Sequence, residues 1–132
     1  NNLLRIIHYP PLKKNEDRKA MRGAAHEDIN LITLLVSGTE PGLQVKDNNG
    51  KWHSIICDPG SIAVNTGDML REVSQGYFPS TTHKVINPKS TEENISRYSM
   101  PLFLHPKSTV RLSKKYIAEE YLNERLNEIG LK

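Results

Sequence analysis

The chain has little cysteine, few aromatic residues, nearly balanced charge and no long apolar run. Cys57, in the apolar segment WHSIIC, is the only cysteine among 132 residues. An internal disulfide is therefore excluded, and a reducing, cytoplasmic setting is expected. The 18 basic residues exceed the 15 acidic ones by three. So small an excess, without a run of like charge and without aromatics interleaved among basic clusters, argues against a nucleic-acid partner. The longest aliphatic stretches, such as LITLLV, are too short to cross a bilayer, which argues against a membrane span. No secretory leader, internal repeat or low-complexity tract is visible. The chain also lacks an initiator methionine, opening on NNLLRIIHY, and is expected to be a piece of something longer.

What is present is a series of short extended segments separated by turn residues. LLRIIHY (3–9) stops at Pro10-Pro11, which neither a helix nor a central strand tolerates. KKNEDRKAMRG (13–23) is charged. INLITLLV (29–36) is a continuous aliphatic run, the pattern of a strand covered on both faces. LQVKD (43–47) and WHSIIC (52–57) flank DNNG, a hairpin signal. IAVN (62–65) reads as a strand. DMLREVSQG (68–76) carries Met69, Leu70 and Val73 at helical spacing. THKVIN (82–87) and ISRYSMPLFLH (95–105) are strands around the loop PKSTEEN. From Ser113, a candidate helix cap, the period changes. Ile117, Tyr121, Leu122, Leu126 and Ile129 share a helical face that Gly130 ends. The expected architecture is mainly β, a barrel or jelly roll over residues 1–112, with a helix over 113–132 packed on its outside.

His26 and Asp28 stand two apart before the aliphatic run. In an extended segment they project to the same side. Alone, a His-x-Asp is more often a surface pair than a metal site. His83, in THKVIN, changes the weighing, because a jelly roll can bring this later strand opposite the first. Two imidazoles and one carboxylate on one side of an ion leave its other positions open, the donor set of non-haem Fe(II) oxygenases. Arg97 and Ser99 also share a strand face. A guanidinium with a neighbouring hydroxyl suits the free end of a dicarboxylate chelated through its other end. Arg111 and Ser113 repeat the spacing, but Ser113 is occupied in this reading as a helix cap. Phe78 and Phe103 are candidates to floor a substrate pocket, although aromatics are more often core. His53 and His105 take the plain surface reading, and Trp52 and Tyr98 are assigned to packing. A cupin-type metal enzyme that binds no such dicarboxylate, or a catalytically silent jelly-roll binding module, stays open as an alternative.

The order His26-x-Asp28, His83, Arg97-x-Ser99 resembles the catalytic core of the isopenicillin N synthase-like Fe(II)/2-oxoglutarate-dependent oxygenases. HYPP, EPGLQV, KWHSI, IAVNTGDML and YFPSTTHKV follow in that family's order, and the likeness runs over residues 3–106. The resemblance implies a double-stranded β-helix and a metal site of His26, Asp28 and His83. It also implies a 2-oxoglutarate site of Arg97 and Ser99, with Tyr9 contacting the co-substrate. Implied with these are Fe(II), O2, a small organic substrate, and succinate and CO2 as co-products. The chain departs from the pattern in three places. Thirteen residues separate His83 from Arg97, a few more than usual, and His8 and Lys84 replace a frequent asparagine and arginine. The family's N-terminal helical part has no counterpart in these residues, so an exposed apolar surface that self-associates is also expected.

Overall fold

A computed structural model describes residues 2–13, 21–36, 38–56, 58–89 and 94–131. Cys57, most of the charged stretch 13–23 and part of the loop 88–94 lie outside the described residues. In chain order the elements are β1 (Leu3–Leu4), β2 (Ile7–Tyr9), β3 (Gly23–His26), β4 (Ile32–Val36), β5 (Leu43–Lys46), β6 (Trp52–Ser54) and β7 (Ile62–Thr66). There follow α1 (Asp68–Val73), β8 (His83–Val85), β9 (Arg97–Ser99), β10 (Pro101–Leu104) and α2 (Ala118–Glu128). The strands form two four-stranded sheets, β1-β10-β4-β7 and β3-β8-β5-β6, and a ribbon of β2 with β9. All pairings are antiparallel. This is the expected jelly roll with a C-terminal helix. No helix among the described residues is long and apolar enough to cross a membrane.

The segments 3–9 and 95–105 each read as one strand, but each is broken. Their pairing keeps a single register, from Leu3↔Phe103 and Leu4↔Leu102 to Ile7↔Ser99 and Tyr9↔Arg97. The breaks fall opposite each other, at Arg5-Ile6 and Met100, where the double strand passes from the sheet to the ribbon. Pro101 opens β10 at this break. Lacking an N–H, proline is tolerated at the first residue of a strand. Arg5 N–H still reaches the Pro101 carbonyl at 3.0 Å.

The aliphatic run 29–36 is fully covered on one face and only partly on the other, where Ile32 and Leu34 are half-buried. Thr33 and Leu35 point inward and are buried, whereas Val36 is 47% exposed. Its neighbours across β7, Ile62 and Val64, are exposed as well. The hairpin at DNNG forms as expected. Asp47 Oδ1 accepts the N–H groups of Asn49 and Lys51, both at 2.9 Å, and Gly50 takes a positive φ of 81°.

The helix begins later than Ser113. The Ser113 hydroxyl instead accepts the N–H groups of Lys115 and Tyr116, each at 3.2 Å, and Leu112 N–H bonds the Tyr116 carbonyl at 3.0 Å. This turn uses up the capping group, and α2 starts only at Ala118. Glu120 then accepts the Ile117 N–H at 3.2 Å. At the far end Gly130, with φ 72°, stops the helix. Its N–H bonds Asn127 and the Leu131 N–H bonds Leu126, a Schellman closure. Ile129, expected on the packed face, lies beyond the helix and is 60% exposed. Tyr116, Ala118 and Tyr121 pack against Met69 and Leu112, so the helix is fastened beside α1, close to Asp28.

Candidate metal centre

Three side chains far apart in sequence converge where β3 and β8 end. His26 pairs with His83 as the last rung of their ladder, with ring centroids 4.3 Å apart. Asp28 lies two residues on. Its Oδ1 is 3.6 Å from His26 Nε2 and 3.7 Å from His83 Nε2. One ligand atom from each residue falls within 4.8 Å of the other two.

Each imidazole is aimed by the carbonyl two residues before it, and Asp28 by side chains of β4 and β7. His26 Nδ1 bonds the Ala24 carbonyl at 2.8 Å and His83 Nδ1 bonds the Thr81 carbonyl at 2.9 Å. A carbonyl only accepts, so both rings carry their proton on Nδ1 when neutral and turn the Nε2 lone pair toward Asp28. Asp28 Oδ2 accepts the Thr33 hydroxyl at 2.5 Å and the Asn65 amide at 3.0 Å. Oδ1 is left facing the two imidazoles. Burial alone would push the Asp28 carboxyl up. In the metal-free protein, hydrogen bonds from His26 when its ring is protonated, from Thr33 and from Asn65, with the charge of His83 when that ring is protonated, outweigh it and bring the pKa to about 2. The hydrogen bond to Asp28 in turn raises the pKa of His26. An ionised carboxylate and two converging nitrogen lone pairs match the requirements of a divalent first-row metal.

Thr33 and Asn65 escaped the sequence reading. Both are polar residues inside otherwise aliphatic strands, which is the signal that marked them. They are also direct cross-strand partners between β4 and β7. Asn30, 1% exposed, extends the chain by donating to Thr33 Oγ1 at 2.9 Å. The loop after Asp28 is held by the start of α1, where Asp68 N–H bonds the Asp28 carbonyl at 2.8 Å. Gly67 makes that approach possible. A Cβ there would overlap the oxygens of Asn30 and the Asp28 carbonyl.

Behind the triad is a cavity of about 400 Å³ lined by His26, Asp28 and His83 and also by Tyr9, Arg97 and Ser99. Arg97 and Ser99 are 2% and 6% exposed. Arg97 Nε donates to the Glu40 carbonyl at 3.0 Å, and its guanidinium lies 5.3 Å from the centroid of the Tyr9 ring, its partner across the ribbon. Leu35, Leu43, Val45 and Val85 supply apolar wall. A second cavity of about 620 Å³ meets His26 and Asp28 from the side of α2, with Met69, Leu122 and Leu126 in its lining. Phe103 lines both cavities. Phe78 lines neither. It is 45% exposed and packs edge-on against Tyr77, because the turn after α1 directs it outward. His53 pairs with Asp47 at 2.7 Å on the surface, and Trp52 lies under Lys84.

Fold and site together define a jelly-roll protein with a two-histidine, one-carboxylate candidate metal centre. The sequence matches the 2OG-Fe(II) oxygenase superfamily over residues 1–106. It is 39% identical over 102 residues to the 2-oxoglutarate-Fe(II) type oxidoreductase hxnY of Emericella nidulans, covering 76% of this chain and 28% of that protein. Among solved structures, a Shewanella oneidensis protein provisionally described as an oxygenase is 56% identical. It superposes with a TM-score of 0.87, covering 99% of this chain and 49% of that one. A 2OG-Fe(II) oxygenase family protein of Caulobacter crescentus, also provisionally described, is 38% identical with a TM-score of 0.84 over 98% of this chain and 46% of its own. A full-length Neurospora crassa protein solved in complex with alpha-KG is 29% identical, with a TM-score of 0.84 over 97% of this chain and 44% of its own. The chain belongs to the 2OG-Fe(II) oxygenase superfamily. It spans less than a third of hxnY and about half of the Shewanella chain.

Proposed function

We propose that this chain is the catalytic core of an Fe(II)- and 2-oxoglutarate-dependent oxygenase acting on a small organic substrate. The observation that carries the reading is that a single cavity is shared by the donor set and by Arg97, Ser99 and Tyr9. His26, Asp28 and His83 would hold the iron. Bound there, Fe(II) supplies dioxygen activation coupled to conversion of 2-oxoglutarate into succinate and CO2. The chain's own residues bind and orient. Arg97 offers a buried permanent positive charge to the distal carboxylate of the co-substrate, with the Ser99 and Tyr9 hydroxyls as companion donors. Thr33 and Asn65 keep Asp28 ionised and turned. The aliphatic wall of the cavity excludes water from the reacting groups. Phe103 is the aromatic placed to meet a substrate at the junction of the two cavities. A cytoplasmic setting, in keeping with the lone Cys57, is part of the same reading.

Anaerobic addition of Fe(II) and then 2-oxoglutarate tests it. A visible charge-transfer band is expected from chelation. Asp28→Ala should abolish the band. Arg97→Ala should raise the 2-oxoglutarate needed at least about tenfold while Fe(II) binding persists. No band in the unsubstituted protein, or unchanged 2-oxoglutarate demand in Arg97→Ala, would overturn the assignment. Oxygen uptake matched by succinate release separates this activity from metal chemistry that does not use 2-oxoglutarate.

A further inference from the structure

Glu27 stands between two of the metal-site residues, yet its side chain leaves them and crosses to the other ligand-bearing strand. The β3–β8 ladder pairs Gly23 with Val85 and His26 with His83, and its register shifts between those rungs. The rung that carries both imidazoles is therefore the last one, where paired strands part most readily. One residue further along the same register, Glu27 comes opposite Thr82. There the link is made by side chains: the Thr82 hydroxyl donates to Glu27 Oε1 at 2.9 Å. The other carboxylate oxygen takes an Arg71 guanidinium N–H of α1, also at 2.9 Å. Arg71 reaches Asp68 Oδ1 at 3.0 Å, and the N–H groups of Asp68 and Met69 bond the carbonyls of Asp28 and Ile29 at 2.8 and 3.2 Å. Glu27 thus joins β3, β8 and the start of α1.

The remaining side-chain supports of the donor set each act on one donor. Ala24 orients His26, Thr81 orients His83, and Thr33 with Asn65 orients Asp28. None of these side-chain bonds spans β3 to β8. The backbone rung His26↔His83 closes the ladder and Thr81 N–H bonds the Thr66 carbonyl at 3.0 Å, so the side-chain bond that bears on the distance between His83 and the other two donors is that of Thr82 with Glu27. We propose that Glu27 is a positioning residue which, chiefly through Thr82, fixes that distance and so sets how tightly the site holds a divalent cation. The proposal rests on the metal-centre reading above. The Thr82 bond carries most of the effect. The Arg71 side chain is 43% exposed, and an ion pair so open to water is screened, whereas a hydroxyl on an ionised carboxylate makes a strong directional bond.

The test is titration of metal-free protein with Co(II), read by its visible ligand-field absorption, beside thermal melting without metal. Thr82→Val keeps shape and removes the hydroxyl, and Thr82→Ser keeps the hydroxyl. The valine variant should bind Co(II) about tenfold more weakly with an altered band. The serine variant should match the unsubstituted protein, and the two should melt within a few degrees of each other. Glu27→Ala should weaken binding to the same degree, and adding Thr82→Val to it should cost no more. Glu27→Gln retains an acceptor for Thr82 and loses only the ion pair, so its affinity should stay within about fivefold. Equal Co(II) affinity in the valine and serine variants would overturn the proposal, as would losses that multiply in the double variant. If the unsubstituted protein shows no Co(II) band, or Asp28→Ala retains it, the metal-centre reading itself fails, and the clamp with it.

Discussion

Replacing Thr33 with valine removes one hydroxyl from the network behind Asp28 and leaves shape and volume nearly unchanged. The Asp28 carboxyl titrates at about 2 in the folded protein against 3.8 in an unperturbed chain. The folded value is the lower one, so the group stabilises the fold above 3.8 and that contribution disappears as pH falls through about 2. A gap of this size corresponds to about 2.5 kcal/mol at neutral pH. Three hydrogen-bond partners and the charge of protonated His83 produce it against the opposing effect of burial, and the Thr33 contact, at 2.5 Å, is shorter than that of Asn65. Its removal should cost about 1.5–2 kcal/mol, within the range for a bond to a charged acceptor. Asn30 loses one acceptor but keeps the Ile32 carbonyl at 3.1 Å. For a domain of this size the loss amounts to a fall in Tm of about 5–8 °C. Urea unfolding of metal-free protein across pH measures it. The difference between Thr33→Val and the unsubstituted protein should hold steady from pH 7 to about 4 and shrink below that. A penalty under about 0.5 kcal/mol at pH 7, or one that stays constant into acid, would refute the view that Thr33 acts on the ionised carboxylate.

Metal binding should weaken as pH falls through the neutral range. Asp28 raises the pKa of His26 above its ordinary 6.5, so protons compete for that nitrogen at a higher pH than for a free imidazole. Co(II) affinity that is flat between pH 6 and 8 would contradict this. Gly67→Ala should destabilise strongly, by about 3 kcal/mol or more, because the added methyl meets backbone and side-chain oxygens of the ligand loop. Calorimetry would detect it, and Co(II) binding should suffer in parallel. Met69, 1% exposed at the junction of α1 with α2, should lose about 2–4 kcal/mol on truncation to alanine, read by denaturant unfolding at neutral pH.

How far the sequence discloses this molecule depends on the range of the forces involved. The convergence of His26, Asp28 and His83 is legible because few residue types can serve as metal donors and strand alternation tells which of them share a side. The DNNG turn and the Gly130 stop are legible because both are decided within a few residues. The start of α2 is not. A serine hydroxyl caps a helix or closes a turn equally well, and here the Leu112–Tyr116 pairing commits Ser113 to the turn. Nor are the breaks at Arg5-Ile6 and Met100, which exist only because one double strand serves a sheet and a ribbon. The outward side of the run 29–36 misleads for a related reason. An aliphatic residue records that burial is favourable, not that a partner is in place, so Val36 looks like core and is exposed, as are Ile62 and Val64 beside it on β7.

The same reasoning explains why the supports of the candidate metal centre are harder to see than its donors. Thr33 and Asn65 become a pair through the β4–β7 register, and Glu27 finds Thr82 only because a shifted ladder ends at His26↔His83. In local sequence the middle position of His-x-Asp is unconstrained, since its side chain points away from the ion. In the fold, that outward direction is what lets Glu27 reach a second strand and a helix without crowding the ligands. A strand that places alternate residues on one cation must place the intervening residue on the opposite side. That intervening position is therefore where a brace can be built, or altered by a single substitution, with all three donors left in place.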